Sequence, residues 1–129
     1  MTEWNYPRAY VVSVYDGDTL TVNIDCGQDV WIMRRTVRLV GIAARELKHP
    51  GGIEARDTLR AMLPEGTPVV IRSTGWDKYA GRIDAYVSTP DGGDVGAELV
   101  RRGYAVPWNG RGVQPFPAWP LNDERPPAG

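Results

Sequence analysis

Near the start of the chain, two runs alternate apolar and polar residues with a period of two. Tyr10, Val12 and Val14 alternate with Val11, Ser13 and Tyr15, and Leu20, Val22 and Ile24 alternate with Thr19, Thr21 and Asn23. That period, carried by β-branched side chains, predicts two strands with unlike faces. Asp16-Gly17-Asp18 between them reads as a tight hairpin turn. A third strand is expected over residues 30–42, a β-rich run with Gly41 near its end. Lys48-His49-Pro50-Gly51-Gly52 breaks the pattern and reads as a loop. Ala55, Leu59, Met62 and Leu63 then recur at helical spacing, predicting an amphipathic helix over residues 53–63, closed by Pro64 and Gly66, with Arg56 and Arg60 on its polar face. Residues 69–73 and 83–88 are further strands, joined by a turn-rich segment from Gly75 to Arg82. Asp94 is a fitting N-cap for a second helix over residues 95–102, stopped at Gly103. Three strands, a helix, two strands and a helix describe an α+β, mainly β domain: a five-stranded OB-fold-type barrel with helices packed at its ends.

Beyond Ala105 the composition changes, with six of the 11 prolines at or after Pro107. The expected division is a barrel domain over residues 1–106 and a Pro/Trp-rich extension over 107–129. That extension reads as an extended arm whose Trp108, Phe116 and Trp119 dock on the barrel. In 129 residues, 42% of them hydrophobic, there is enough apolar material for one core. Cys26 is the single cysteine and His49 the single histidine, which excludes an internal disulfide and a cysteine-based zinc cluster. No long apolar run suggests a membrane span and no basic, apolar leader opens the sequence, so the expectation is a cytoplasmic monomer.

Charge refines this picture through its distribution. The net charge is only -1, yet residues 1–30 carry -4, residues 31–82 carry +5 and residues 83–129 carry -2. Thirteen of the 15 basic residues are Arg, whose planar fork matches phosphate oxygens. Three segments place charges beside turns: Asp16-Gly17-Asp18-Thr19, the run from Val37 to Leu47 holding Arg38, Arg45 and Glu46, and the run from Asp77 to Arg82. Each alone is compatible with an ordinary solvated turn.

Together, in order and spacing, these segments resemble the staphylococcal nuclease (thermonuclease) family over roughly residues 11–104. The shared motifs are V-x-D-G-D-T at Val14 to Thr19, V-R-L-x-G-I-x-A-x-E at Val37 to Glu46, a D-K-Y-x-G-R loop at Asp77 to Arg82 in which Ala80 is inserted, and A-x-L-V-R-x-G-x-A at Ala97 to Ala105. The resemblance implies an OB-fold nuclease that hydrolyses DNA or RNA phosphodiesters with Ca2+. Position by position, it makes Arg38 and Arg82 the phosphate-contacting arginines and Glu46 the carboxylate that works on the attacking water. Asp18 becomes a metal ligand, with the Ala44 backbone carbonyl beside it and Asp16 behind. Arg45, Lys78, Tyr79 and Tyr104 are the expected further contacts to nucleic acid. Such a site suits the chemistry, because phosphate hydrolysis needs a cation to polarise oxygen, donors facing the charge on the phosphoryl group and a carboxylate to orient water.

One departure bears on activity. The family carries a second metal-binding aspartate five residues after its first arginine, where this chain has Ala43; Ala44 and Arg45 replace the following threonine and proline. Losing a carboxylate removes both a hard oxygen and a formal charge, so calcium is expected to bind weakly. Three readings follow from the sequence. One is a metal-dependent nuclease with a trimmed metal site, another a weak or inactive nucleic-acid-binding module, and a third a protein-interaction module using the arm. A bacterial or phage source suits the first two.

Overall fold

The computed structural model describes residues 3–77 and 81–119. Among the described residues, seven strands and two helices follow one another as β1 (Trp4–Asp16), β2 (Thr19–Asp25), β3 (Trp31–Leu39), β4 (Ile42–Ala44), α1 (Gly52–Met62), β5 (Pro68–Asp77), β6 (Arg82–Ser88), α2 (Val95–Arg101) and β7 (Ala105–Pro107). Five of the strands close a barrel in the order β1-β2-β3-β6-β5, with β5 returning to β1. All its pairs are antiparallel except β3 with β6, which run parallel through Val37 and Ile83, Arg38 and Asp84, Leu39 and Ala85. The architecture is the five-stranded OB-type barrel with two helices.

One set of apolar positions in each barrel strand turns inward, while Trp4, Trp31, Met33 and Trp76 stay exposed. Val22 and Ile24 in β2, Val37 and Leu39 in β3, and Ala85 and Val87 in β6 are buried together with Leu59 of α1 and Leu99 of α2. In β1 the simple alternation fails: a register shift between Val11 and Ser13 lets both Val11 and Val14 face the core. A bulge of this kind turns a strand and changes which parity is buried. α1 buries Gly52, Ala55 and Leu59 and carries Glu54 in its first turn and Arg60 in its last, both favourable to the helix dipole. Arg60 also donates from Nε and Nη2 to the Val14 carbonyl at 3.2 and 3.1 Å, tying the helix to β1. The Asp94 side chain caps α2 by accepting the Ala97 N–H at 2.8 Å.

The structure corrects the single strand expected over residues 30–42. The chain leaves the barrel after Leu39, turns at Gly41 with φ of 81°, and forms β4, which pairs with β7 instead. Glycine alone takes that backbone conformation without strain, so it separates two strands in an otherwise continuous β-rich run. The β4–β7 pair brings the following arm to the barrel's rim, and the Trp108 N–H donates to the Gly41 carbonyl at 2.9 Å. No helix among the described residues is long and apolar enough to cross a membrane.

Candidate active site

The β1–β2 turn, the end of β3, β4, the loop before α1 and the start of β6 converge on one side of the barrel. They enclose a cleft of about 450 Å³ that includes Tyr15, Asp16, Asp18, Arg38, Ala44, Glu46 and Arg82. Asp18 is nearly inaccessible, at 7% exposure. Its Oδ2 accepts the Ala44 N–H at 3.2 Å and lies 3.4 Å from Arg38 Nη2, while its Oδ1 accepts the Thr19 hydroxyl at 3.2 Å. Arg38 is itself clamped, since Nη1 donates to the Leu39 carbonyl and Nη2 to the Ile42 carbonyl at 3.1 Å. These bonds fix the guanidinium plane and occupy part of its five-donor fork.

Asp16 Oδ1 accepts the Asp18 N–H at 3.1 Å, an Asx-type turn that holds both carboxylates on one short loop. Burial, and then the neighbouring Asp18 charge, push the Asp16 carboxyl up to about 6. Glycine between them serves space rather than backbone freedom: a Cβ on Gly17 would stand 2.7 Å from the Ala44 Cβ and 2.8 Å from the Ala55 Cβ. Gly17, Ala44 and Ala55 thus form a small-residue junction where the turn, β4 and α1 meet. A second close approach lies at Gly52, where an added Cβ would fall 1.9 Å from the Glu46 carbonyl oxygen.

Glu46 is half-exposed in the loop before α1, with Lys48 Nζ at 3.5 Å and His49 Nε2 at 3.9 Å from its Oε2. Arg82 opens β6 opposite Asp77 of β5. Its Nε comes within 3.3 Å of Asp77 Oδ2, an ion pair by distance, although the N–H is not aligned for a hydrogen bond and Nε is sealed from solvent.

Arg38 and Arg82 also line a second cleft of about 740 Å³, together with Asp84, Tyr86, Trp108 and Arg111. Trp108 is held there by donating its indole N–H to the Arg111 carbonyl at 2.9 Å. Burial, then Asp77, raises the Asp84 carboxyl from its ordinary range, against the opposing pull of Arg82 and Arg38.

The structure therefore brings Asp16, Asp18, Arg38, Ala44, Glu46 and Arg82 into one cleft. Arg45 is turned elsewhere: its Nε donates to the Pro117 carbonyl at 3.0 Å and its guanidinium stacks on Phe116 at 5.6 Å. Tyr104 packs against the core and against Trp119, with ring centroids 6.5 Å apart. Lys78 and Tyr79 lie outside the described residues. Ala43 is fully buried in β4 opposite Val106. Sequence reasoning did not single out Tyr86, Trp108 and Arg111 as cleft residues, nor Gln114, which lines the first cleft. Tyr86 stands in β6 opposite Arg72 of β5, whereas Trp108, Arg111 and Gln114 follow the β4–β7 pair, three residues long and too short to leave a periodic signal.

Among the described residues, no group of three or more His, Cys, Asp or Glu side chains is placed to hold a metal ion. The oxygens that line the cleft beside Asp18 are those of the Asp16 and Glu46 carboxylates and the Ala44 carbonyl, the last of which faces the Gln114 amide nitrogen at 3.5 Å. Hard oxygens are the donor type calcium takes, but Arg38, Lys48 and Arg82 line the same cleft.

A family model described as Staphylococcal nuclease homologue matches residues 36–114, well over half of the chain, and the chain belongs to that family. The membership places it in the class of nucleases and nucleic-acid-binding domains. The matched stretch begins inside β3 and ends at Gln114, so it contains Arg38, Ala44, Glu46 and Arg82. Comparison with curated proteins finds no match.

Proposed function

We propose that the chain is a nuclease that hydrolyses phosphodiester bonds of DNA or RNA, using Arg38, Arg82 and Glu46, with a weakened calcium site at Asp18. The observation that carries this reading is the convergence of two arginines, an accessible glutamate and a buried aspartate on one cleft of a chain of this family. Arg38 and Arg82 face the phosphoryl oxygens from two sides, and the clamp on Arg38 means its guanidinium needs little reordering as charge develops there. Glu46, open to solvent, orients a water and takes its proton as the oxygen attacks phosphorus. The P–O bond to the leaving nucleoside breaks, and the leaving oxygen is protonated from solvent. Asp18 would hold the cation together with the Ala44 carbonyl, and Asp16 would stand behind them. When bound, calcium supplies polarisation of a phosphoryl oxygen. The second cleft, with Trp108 and Tyr86, suits a base next to the held phosphate, and a site directed at the backbone has little need to distinguish base edges.

The binding-module reading draws on a different observation. Asp18 is already satisfied by Arg38, Thr19 and the Ala44 N–H, and Ala43 adds no carboxylate. Cleavage of single-stranded DNA across a calcium titration separates the two. Turnover that disappears in both Arg82→Ala and Glu46→Gln supports the nuclease. Salt-sensitive binding without turnover at any calcium level supports the module, since phosphate contacts release counterions.

A further inference from the structure

Trp4 pairs with Ser73, Trp76 with Ile83 and Val37 with Ile83, which sets the starts of β1, β3 and β6 and the close of β5 at one end of the barrel. A hollow of about 220 Å³ opens there, lined by strand residues alone. Tyr6 and Ile32, which pack on the core, and Ile83 give it apolar walls. Trp76 beside them is 52% exposed, and Trp4, next to Ser73, 63%. Arg35 is the one charged side chain among the described residues that line the hollow. Its guanidinium carbon stands 5.0 Å from the Trp76 ring centre, while its Nε is shut off from solvent without a hydrogen-bond partner. Other half-buried arginines spend their donors on the protein: Arg38 bonds the Ile42 carbonyl and Arg60 the Val14 carbonyl. A buried donor left without an acceptor is costly, so Arg35 favours any ligand that brings one.

The chemistry of the hollow narrows that ligand. Its volume falls below the about 300–1,000 Å³ of sites for drug-sized molecules, leaving room for one small ring system. Indole and guanidinium planes are the surfaces on which unpaired bases stack, and base edges carry the acceptors that an arginine N–H lacks here. With an arginine and no carboxylate among its described lining residues, the hollow attracts a polyanion and repels a cation. It also adjoins the first cleft. Arg35 precedes Arg38 by three residues, about 10 Å along β3, and Ile83 follows Arg82 directly on β6. A strand lying on Arg38 and Arg82 therefore has its neighbouring nucleotides within reach of this mouth.

We propose that the barrel mouth at Trp76 and Arg35 is a second subsite, which holds one unpaired base of a single-stranded nucleic acid whose backbone lies in the first cleft. The proposal rests on the nucleic-acid reading of that cleft and needs neither turnover nor a metal. It adds a substrate class: a duplex keeps its bases stacked and paired, so only a single strand fills the mouth.

The test is equilibrium binding in chelator, read by fluorescence anisotropy on the full chain. The probes are a labelled oligothymidine of about eight nucleotides, within the about 4–16 that an OB-type fold spans, and the duplex it forms with oligoadenine. Trp76→Ala and Arg35→Met are each expected to weaken the single strand about tenfold, the scale of one stacked base, and to leave the duplex within about twofold of the parent. Trp76→Phe keeps a stacking ring and should recover most of the loss. Trp31→Ala, an exposed tryptophan that packs on Tyr10 instead, should change nothing. Thermal unfolding shows that the variants are folded. If Arg38→Ala weakens the single strand while both mouth variants bind it like the parent, the subsite is overturned and the nucleic-acid reading of the cleft stands. Equal weakening of single strand and duplex by the mouth variants overturns it too, because a general defect would then explain the loss. If the parent binds neither probe, or Arg38→Ala binds both as well as the parent does, the reading of the cleft itself fails and the proposal falls with it.

Discussion

Gly17→Ala tests whether the small-residue junction sets the site. The added methyl would lie 2.7 Å from the Ala44 Cβ and 2.8 Å from the Ala55 Cβ. Carbon atoms rest at about 3.5–4.0 Å, so each neighbour must retreat by about 1 Å. Neither has a flexible end that can swing away, because both are alanines and a retreat moves the backbone of β4 or α1. Overpacking of this kind costs about 1–3 kcal/mol. The functional effect should exceed the loss of stability. Displacing Ala44 moves the N–H that Asp18 accepts at 3.2 Å and the carbonyl beside Gln114, and a misplacement near 1 Å can cost about 10²-fold in rate. Urea unfolding and single-turnover cleavage would be measured for Gly17→Ala, Ala44→Gly and the double variant. The double variant should recover part of the stability lost by Gly17→Ala, with a coupling of about 0.5–3 kcal/mol. A Gly17→Ala protein within about 0.5 kcal/mol of the parent, with no coupling to position 44, would refute the steric reasoning.

Three further outcomes are expected. Burial and the Asp18 charge push the Asp16 carboxyl up from 3.8 to about 6, so the cost of its ionised form is fully present above pH 6 and gone well below pH 3.8; in calcium-free urea titrations Asp16→Asn should stabilise the protein by about 1–2 kcal/mol at pH 8, after allowing for solvent screening, and the gain should shrink steadily as the pH falls from 6 towards 3. Arg38→Lys should lose both turnover and stability, the latter by about 1–3 kcal/mol because two carbonyl clamps are broken, whereas Arg82→Lys should lose turnover with a change in unfolding free energy below about 1 kcal/mol. Trp108→Ala should weaken binding of a short single strand by about 1–3 kcal/mol in a fluorescence titration while leaving calcium affinity unchanged.

Where side chains repeat with a clear period, the chain announces its elements. The alternation in β2 and β6, the spacing of Ala55 and Leu59 in α1, and Asp94 ahead of α2 all correspond to observed elements. The break inside residues 30–42 was not legible, because β propensity is continuous across it and only the conformation of Gly41 interrupts the strand. β7 escaped for another reason: three residues ending in proline carry no periodicity, and their pairing with β4 is a long-range event. The same reason hides Gln114, a lone amide in a Pro-rich stretch, 70 positions from the carbonyl it faces. For the candidate site, spacing and motif pointed to the segments that meet in the first cleft. Neither could reveal that Arg45 turns to Phe116 and Pro117, because the direction of a half-buried arginine is set by whatever packs on it.

The parallel pairing of β3 with β6 has a consequence during synthesis. As the chain leaves the ribosome, β1, β2 and β3 can form a meander at once, but the edge of β3 has no partner until residues 83–85 emerge, 46 positions after Val37. At about 5–20 residues per second that interval is roughly 2–9 s. During it an open edge is accompanied by the apolar Trp31 and Met33, which are exposed even in the finished barrel, a combination that invites pairing with other chains. Arg38 and Arg82 stand on the two strands that make this last pair. The nascent protein thus has no assembled pair of cleft arginines before its barrel has closed.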